Sequence, residues 1–257
     1  MSHAAAMRDR CRGPRDGHAR AAPRERAHTG IARALAAIAM LFLGLVAVQP
    51  AQAADLRRIK IGVPDIEVFH YQGQVTSGDA LRLQSEIAKL APNKRVAILL
   101  NSVGGAYEEG KALGRLFYNA KISTFVLGNG GLCLSACAMA FLGGRDLVTG
   151  EPLRAVIQGG SLGFHQFRKI LPPEQRFTKA DLERAVGEVQ RAVFDDLKYL
   201  KEINQDPRTY RRHISEPAES MLYIRDSAAL ENGFHVINAE SRTLISPDVF
   251  LDRMKSR

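Results

Sequence analysis

The 257-residue chain has no Trp, only three Cys, seven His and no apolar run long enough to span a bilayer. With Cys11, Cys133 and Cys137 set among isolated histidines, four ligands at normal zinc spacing cannot be assembled, so no metal centre is expected. The longest apolar stretch, residues 34–48, holds 15 uncharged residues, short of the roughly 20 a spanning helix needs. Excess positive charge is also missing from most of the chain. The formal net charge is +9, but residues 1–53 contribute eight Arg against three acids, and the other 204 residues carry only +4. A nucleic-acid partner, which the total charge alone would favour, loses its support.

What is present begins with an address. Arg-rich residues precede the apolar stretch, and Gln49-Pro50-Ala51-Gln52-Ala53 follows it with a small-x-small ending. That order reads as a secretory signal peptide over residues 1–53, cleaved after Ala53, and predicts a periplasmic or secreted protein. Membrane contact is expected only through this segment if it stays uncleaved. Residues 54–257 then form one domain. Cleavage removes Cys11, His3, His18 and His28, leaving Cys133 and Cys137 with His70, His165, His213 and His235.

Along the remaining chain, residues 58–63 and 67–73 read as strands, and Ser77 as the cap of a helix running to Leu90. Residues 95–100 (R-V-A-I-L-L) form a nearly continuous apolar run, the pattern of a strand covered on both faces. A helix over 106–118, a strand over 123–127, a small-residue helix over 136–142 and a short strand over 161–164 follow. Residues 179–203 carry the longest helical pattern, read as covering its own core. A strand over 221–224, a short helix over 228–232 and a strand over 235–237 end the order. Strands alternating with helices predict an α/β domain with a mainly parallel sheet and its active edge at strand C-terminal ends.

Three segments stand out for polar residues or glycines that follow apolar strands: Asn101-Ser102-Val103-Gly104-Gly105, Gly130-Gly131-Leu132-Cys133-Leu134-Ser135-Ala136-Cys137 and Gly163-Phe164-His165-Gln166. Singly they are unremarkable, since a serine opening a helix is ordinarily a cap, a strand-end histidine ordinarily packing, and paired glycines ordinarily a turn. In this order and spacing the sequence resembles the Clp protease proteolytic subunit family, and more closely its Clp-like bacterial proteins of periplasmic type. The resemblance covers residues 99–238, most specifically L-N-S-V-G-G-A-Y-E-E-G-K-A-L (99–112), C-L-S-A-C-A-M-A-F-L-G-G-R (133–145) and G-F-H-Q (163–166).

The resemblance implies a Clp/crotonase-like ββα superhelix and a serine hydrolase. It makes Ser135 the nucleophile, His165 the general base, and the backbone N–H groups of Gly105 and Ala136 the oxyanion donors. No cofactor is implied, and the substrate class is a peptide or protein. The G-x-S-x-G elbow is absent because Cys133 and Cys137 occupy its glycine positions, which disfavours an α/β-hydrolase.

Two departures bear on activity. The family's orienting acid maps to Met221, leaving Glu219 and Asp226 as the nearest carboxylates, and Val103 replaces the proline of N-S-P-G-G. A Ser-His dyad or imperfect triad and an inactive binding scaffold are both consistent with this. Cys133 and Cys137 flank the serine at equal spacing; in an oxidising compartment they either pair as a disulfide bracing the Ser135 turn or pack as two small residues. An exported chain has no ATP supply, so the family's ATPase ring is not expected as a partner, while a homo-oligomer is. Acyl-CoA chemistry of the crotonase kind would need a CoA pool and no Ser135–His165 pair. A Ser-Lys mechanism would not need His165.

Overall fold

The computed structural model describes residues 54–63, 65–92, 94–166, 176–206, 211 and 215–255, so the expected signal segment and His213 lie outside the described residues. The first half runs β1 (Asp55–Ile59), β2 (Ile66–Gln72), α1 (Asp79–Ile87), β3 (Arg95–Asn101), α2 (Tyr107–Asn119), β4 (Ser123–Val126), β5 (Leu132–Leu134) and α3 (Ala136–Phe141). The second runs β6 (Arg154–Ile157), β7 (Ser161–Phe164), α4 (Lys179–Glu202), β8 (Leu222–Ile224), α5 (Asp226–Glu231), β9 (His235–Ile237), β10 (Leu244–Ile245) and α6 (Pro247–Lys255).

Seven strands form one sheet in the order β1-β2-β3-β4-β6-β9-β10. Its interior pairs are parallel, and β1 and β10 close the two edges antiparallel. A smaller sheet, β5-β7-β8, pairs β5 parallel and β8 antiparallel to β7. The fold is thus mixed α/β with a mostly parallel central sheet. The expected first strand is displaced toward the N-terminus, and β5, β6, β10 and α6 lie where the sequence pattern predicts no element, the three strands being only two to four residues long and too short to show a period.

β3 alternates cleanly despite its apolar sequence. Val96, Ile98 and Leu100 enter the core beside Leu83, Leu113 and Phe117. Ala97 and Leu99 face the other way, onto a groove of about 400 Å³ that Val68, Phe125 and Ile157 also line. The continuous run predicts cover on both faces; among the described residues only one face is packed.

The expected Ser77 cap is likewise displaced. Gly78 is the residue before α1, with φ 93° and no side chain of its own to cap the helix, and the Ala80 N–H of the first turn donates to the Glu109 carboxylate at 2.7 Å. Instead Asp79 is buried, accepting the Tyr71 O–H at 2.6 Å and the Thr76 N–H at 2.8 Å. Burial, reinforced by that carboxylate, pushes the Tyr71 pKa up.

Close helix contacts carry the core toward the candidate site. A Cβ at Gly110 of α2 would lie 2.2 Å from the Ala136 carbonyl oxygen, and one at Gly143 would lie 2.0 Å from that of Gly114. These glycines let α2 and α3 meet backbone to backbone, a packing that no larger residue permits. The C-terminal part of α4 is tied to the core by polar contacts. Asp196 accepts the Lys111 ammonium at 3.1 Å and the Tyr107 O–H at 2.7 Å, and the Tyr199 O–H donates to the Met139 carbonyl at 2.6 Å.

The N-terminal part of α4 starts at a capping box of Thr178 and Asp181. Its apolar stripe, Leu182, Val186, Val189, Val193 and Leu197, is 39 to 57% exposed. The helix therefore does not cover its own core along its length, contrary to the expectation; helical spacing identifies an apolar face but not what meets it.

Gly110→Ala forces the Ala136 carbonyl, and with it the start of α3, to move. A loss of about 1–3 kcal/mol is expected from such overpacking, read as a lowered midpoint in thermal unfolding by circular dichroism. An unchanged midpoint would contradict the close α2–α3 contact.

Candidate active site

β5 lies between two neighbours that fix it. On one side Cys133 bridges to Ser102, just past β3, with the Ser102 N–H donating to the Leu132 carbonyl at 2.6 Å and the Leu134 N–H to the Ser102 carbonyl at 3.0 Å. On the other it pairs with β7 in the register Leu132–Ser161, Cys133–Leu162 and Leu134–Gly163. The Ser135 N–H extends this ladder by one step, donating to the Gly163 carbonyl at 2.8 Å. The chain then turns sharply into α3, with Ser135 at φ 55° and ψ −119°. For a residue with a Cβ this backbone state costs on the order of 1–3 kcal/mol, and such strain concentrates at functional sites.

Parallel strands deliver the residues after their C-terminal ends side by side. Ser135 follows β5 and His165 follows β7, and His165 Nε2 lies 2.8 Å from Ser135 Oγ. Both side chains are half-buried. The structure thus brings the expected nucleophile and base together. Of the other described histidines, His70 and His235 stand on β2 and β9 in the large sheet, and burial lowers the pKa of each.

Gly104 and Gly105 sit against this turn. A Cβ at Gly104 would lie 2.8 Å from the Ser135 Cβ and 3.1 Å from the Ala136 nitrogen, and Gly104 adopts φ 93°. Val75 bridges to Gly105 through the Val75 N–H to Gly104 carbonyl bond and the Ala106 N–H to Val75 carbonyl bond, each 2.8 Å. In that pairing the N–H of Gly105 itself points away from Val75. Neither the Gly105 nor the Ala136 N–H has an acceptor among the described residues. Two donors beside a serine–histidine pair can hold a developing oxyanion.

The polar residues that open the loop hold it in place. The Asn101 Oδ1 accepts the Leu132 N–H at 3.1 Å, and the Ser102 Oγ accepts the Gly104 N–H at 3.1 Å. These roles were not read from the sequence, where Asn101 and Ser102 counted only as part of a motif. The Lys111–Asp196–Tyr107 cluster was also missed, because its partners are far apart in the chain.

The third position is where the geometry is incomplete. For Nε2 to take the serine proton, the ring hydrogen must sit on Nδ1. His165 Nδ1 is buried and has no partner among the described residues. A buried N–H without an acceptor costs about 1–3 kcal/mol, which works against the productive tautomer. Asp226 does not serve: its carboxylate faces the Gly159 N–H at 3.4 Å, at the opposite end of β7. The β7–β8 register, with Leu162 opposite Ile224, sets Asp226 near Gly160, about 16 Å along the strand from His165. Glu219 is exposed in the turn before β8 and does not meet Nδ1 either. The same register continues to put Met221 opposite His165, and a Cβ at Gly163 would lie 2.9 Å from the Met221 sulfur.

Cys133 and Cys137 form a disulfide with their Cα atoms 5.1 Å apart, which resolves the two readings of the pair. Both are buried, Cys133 in β5 rather than in a loop. Among the described residues, no group of three or more His, Cys, Asp or Glu is placed to hold a metal ion. No helix among them is long and apolar enough to cross a membrane.

Met221→Asp would set a carboxylate beside Nδ1. The reactivity of Ser135 toward a fluorophosphonate is expected to rise at least about tenfold, a fraction of the roughly 10⁴ that an orienting acid contributes in known triads. An unchanged or slower labelling rate would reject Met221 as the empty acid position. No protein-family model matches the chain, and no curated protein is significantly similar to it.

Proposed function

We propose that this chain is an exported serine hydrolase, a peptidase that works without ATP through a Ser135–His165 dyad and a backbone oxyanion hole. The contact that carries this reading is Ser135 Oγ to His165 Nε2 at 2.8 Å, made at a strained strand-to-helix turn. His165 takes the hydroxyl proton as Oγ attacks a carbonyl carbon. Negative charge then develops on the carbonyl oxygen, where the Gly105 and Ala136 N–H groups receive it, each worth about 3–4 kcal/mol in comparable sites. His165 returns the proton to the leaving group, and water enters by the same route in reverse to release the acyl group.

The Clp/crotonase-like superhelix is part of the same proposal. Its support is the repeated order strand, strand, helix in β4-β5-α3 and β6-β7-α4, which sends one strand of each pair to the large sheet and one to the small sheet. A periplasmic or secreted location rests on the signal pattern of residues 1–53. Peptide as substrate rests on the resemblance alone. A non-catalytic scaffold is the second reading, favoured by a His165 Nδ1 that has no partner among the described residues, with Met221 rather than a carboxylate at the position opposite.

Fluorophosphonate labelling separates the two readings. Label is expected on Ser135 in the unaltered protein and is expected to vanish in Ser135→Ala and fall by at least about a hundredfold in His165→Ala, general-base contributions being typically about 10²–10⁴-fold. Absence of label on the unaltered protein would favour the scaffold, and label that persists in His165→Ala would point to a different base.

The exposed α4 stripe fits a second copy of this chain. Its five part-exposed aliphatic residues at helical spacing are the kind of face that helix-on-helix pairing buries, and this supports the homo-oligomer that the resemblance implies. Light scattering is expected to give a multimer for the unaltered protein and a smaller species for Val189→Asp; a monomer at micromolar concentration in both would reject self-association through α4.

A further inference from the structure

We propose that the Cys133–Cys137 disulfide is the positioning device of the nucleophile, so that the reactivity of Ser135 depends on the redox state of this one bond. The proposal rests on the hydrolase reading above and adds a condition to it. The bond closes a ring whose three inner residues are Leu134, Ser135 and Ala136, and so contains both the nucleophile and one oxyanion donor. Each end is anchored in buried structure. Cys133 sits mid-strand in β5 between Ser102 and Leu162, and Cys137 lies in the first turn of α3.

The need for such a brace follows from how α3 begins. A serine at this place would ordinarily hold the helix start by accepting an N–H with its own hydroxyl. Ser135 makes no such cap bond, because its Oγ faces His165. The helix it opens is only six residues long, Ala136–Phe141, too short to hold its own first turn by propagation. Ser135 is also in a positive-φ state that a free chain abandons. Relaxing φ at this residue turns Cβ and the hydroxyl away from Nε2 and redirects the Ala136 N–H. The covalent link between residues 133 and 137 limits that relaxation by keeping their Cα atoms 5.1 Å apart.

Opening the bond takes two electrons and two protons, and a dithiol supplies both: the protein S–S bond breaks to two thiols as the dithiol closes to its own disulfide. Cys133 and Cys137 are 0% and 1% exposed, so exchange requires local opening of the turn and is slow in the native state.

The test compares fluorophosphonate labelling rates of the purified protein as oxidised, after dithiothreitol with reduction verified by intact mass, and after reoxidation with oxidised glutathione. The Cys133→Ala/Cys137→Ala variant is measured alongside, with its fold checked by circular dichroism. Labelling is expected to slow at least about tenfold on reduction, consistent with the cost of a sub-ångström to ångström misplacement, and to recover on reoxidation. The double variant is expected to be slow whether or not dithiol is present. Hydrogen exchange of the amides at residues 136–139 reads the same positioning without requiring activity, and is expected to quicken on reduction. If the double variant fails to fold, the reduction and reoxidation cycle on the unaltered protein decides. Equal labelling and equal exchange in the oxidised and reduced protein would overturn the proposal, as would two free thiols in the protein purified without reductant. Absence of label in every state would overturn the hydrolase reading alone, and exchange would still decide the role of the disulfide.

Discussion

Ser135 and His165 meet because β5 and β7 are parallel neighbours in a fixed register. Parallel pairing means that both strands leave the small sheet at the same end, and the Ser135 N–H to Gly163 carbonyl bond carries the register up to Ser135 itself. A slip of one residue would turn the exit positions to opposite faces. Every other element of the site is arranged around this pair of exits: the Asn101–Gly105 loop on one flank of β5, the β8 strand on the far flank of β7, and α3 leaving from the serine.

Holding a strained turn at that exit requires rigid surroundings. The glycines of α2 and of the α3 end allow backbone contact between the two helices, so the first carbonyl of α3 is fixed by Gly110 rather than by flexible side chains. α2 is held in turn to the C-terminal part of α4, where the buried Asp196 carboxylate accepts from its Lys111 ammonium and Tyr107 hydroxyl. A buried ion pair is a modest source of net stability, since desolvation offsets most of its attraction, but removing one partner is costly. Its effect here is geometric: the helix that follows the Asn101–Gly105 loop cannot rotate independently of α4.

Much of this was legible along the chain. Buried runs ended by Gly or Asn marked the strands β3 and β4, helical spacing marked α2 and α4, and the serine and histidine stood out as polar residues at the ends of apolar segments. Short β5 was not legible, because Leu132-Cys133-Leu134 has too few residues to show a period and is flanked by glycines that read as loop. Nor could the sequence choose between Glu219 and Asp226 as the acid. Both are close to Met221 in the chain, yet the antiparallel turn into β8 and α5 carries Asp226 to the far end of β7 and leaves Glu219 exposed.

By itself the sequence determined the α/β class, the identity of the candidate nucleophile, base and backbone donors, and the absence of a carboxylate at position 221. The class follows from local pattern, and the site roles and the acid position follow from the resemblance of those segments to a known family, since a lone serine, histidine or glycine pair has an ordinary structural explanation. The tertiary structure alone decided that Ser135 and His165 are in hydrogen-bond contact, that Cys133 and Cys137 pair, that Nδ1 lacks a partner among the described residues, and that the α4 stripe stays exposed. Each of those depends on distances between residues set by strand register and helix packing, quantities that the order of amino acids implies only through the folded chain as a whole.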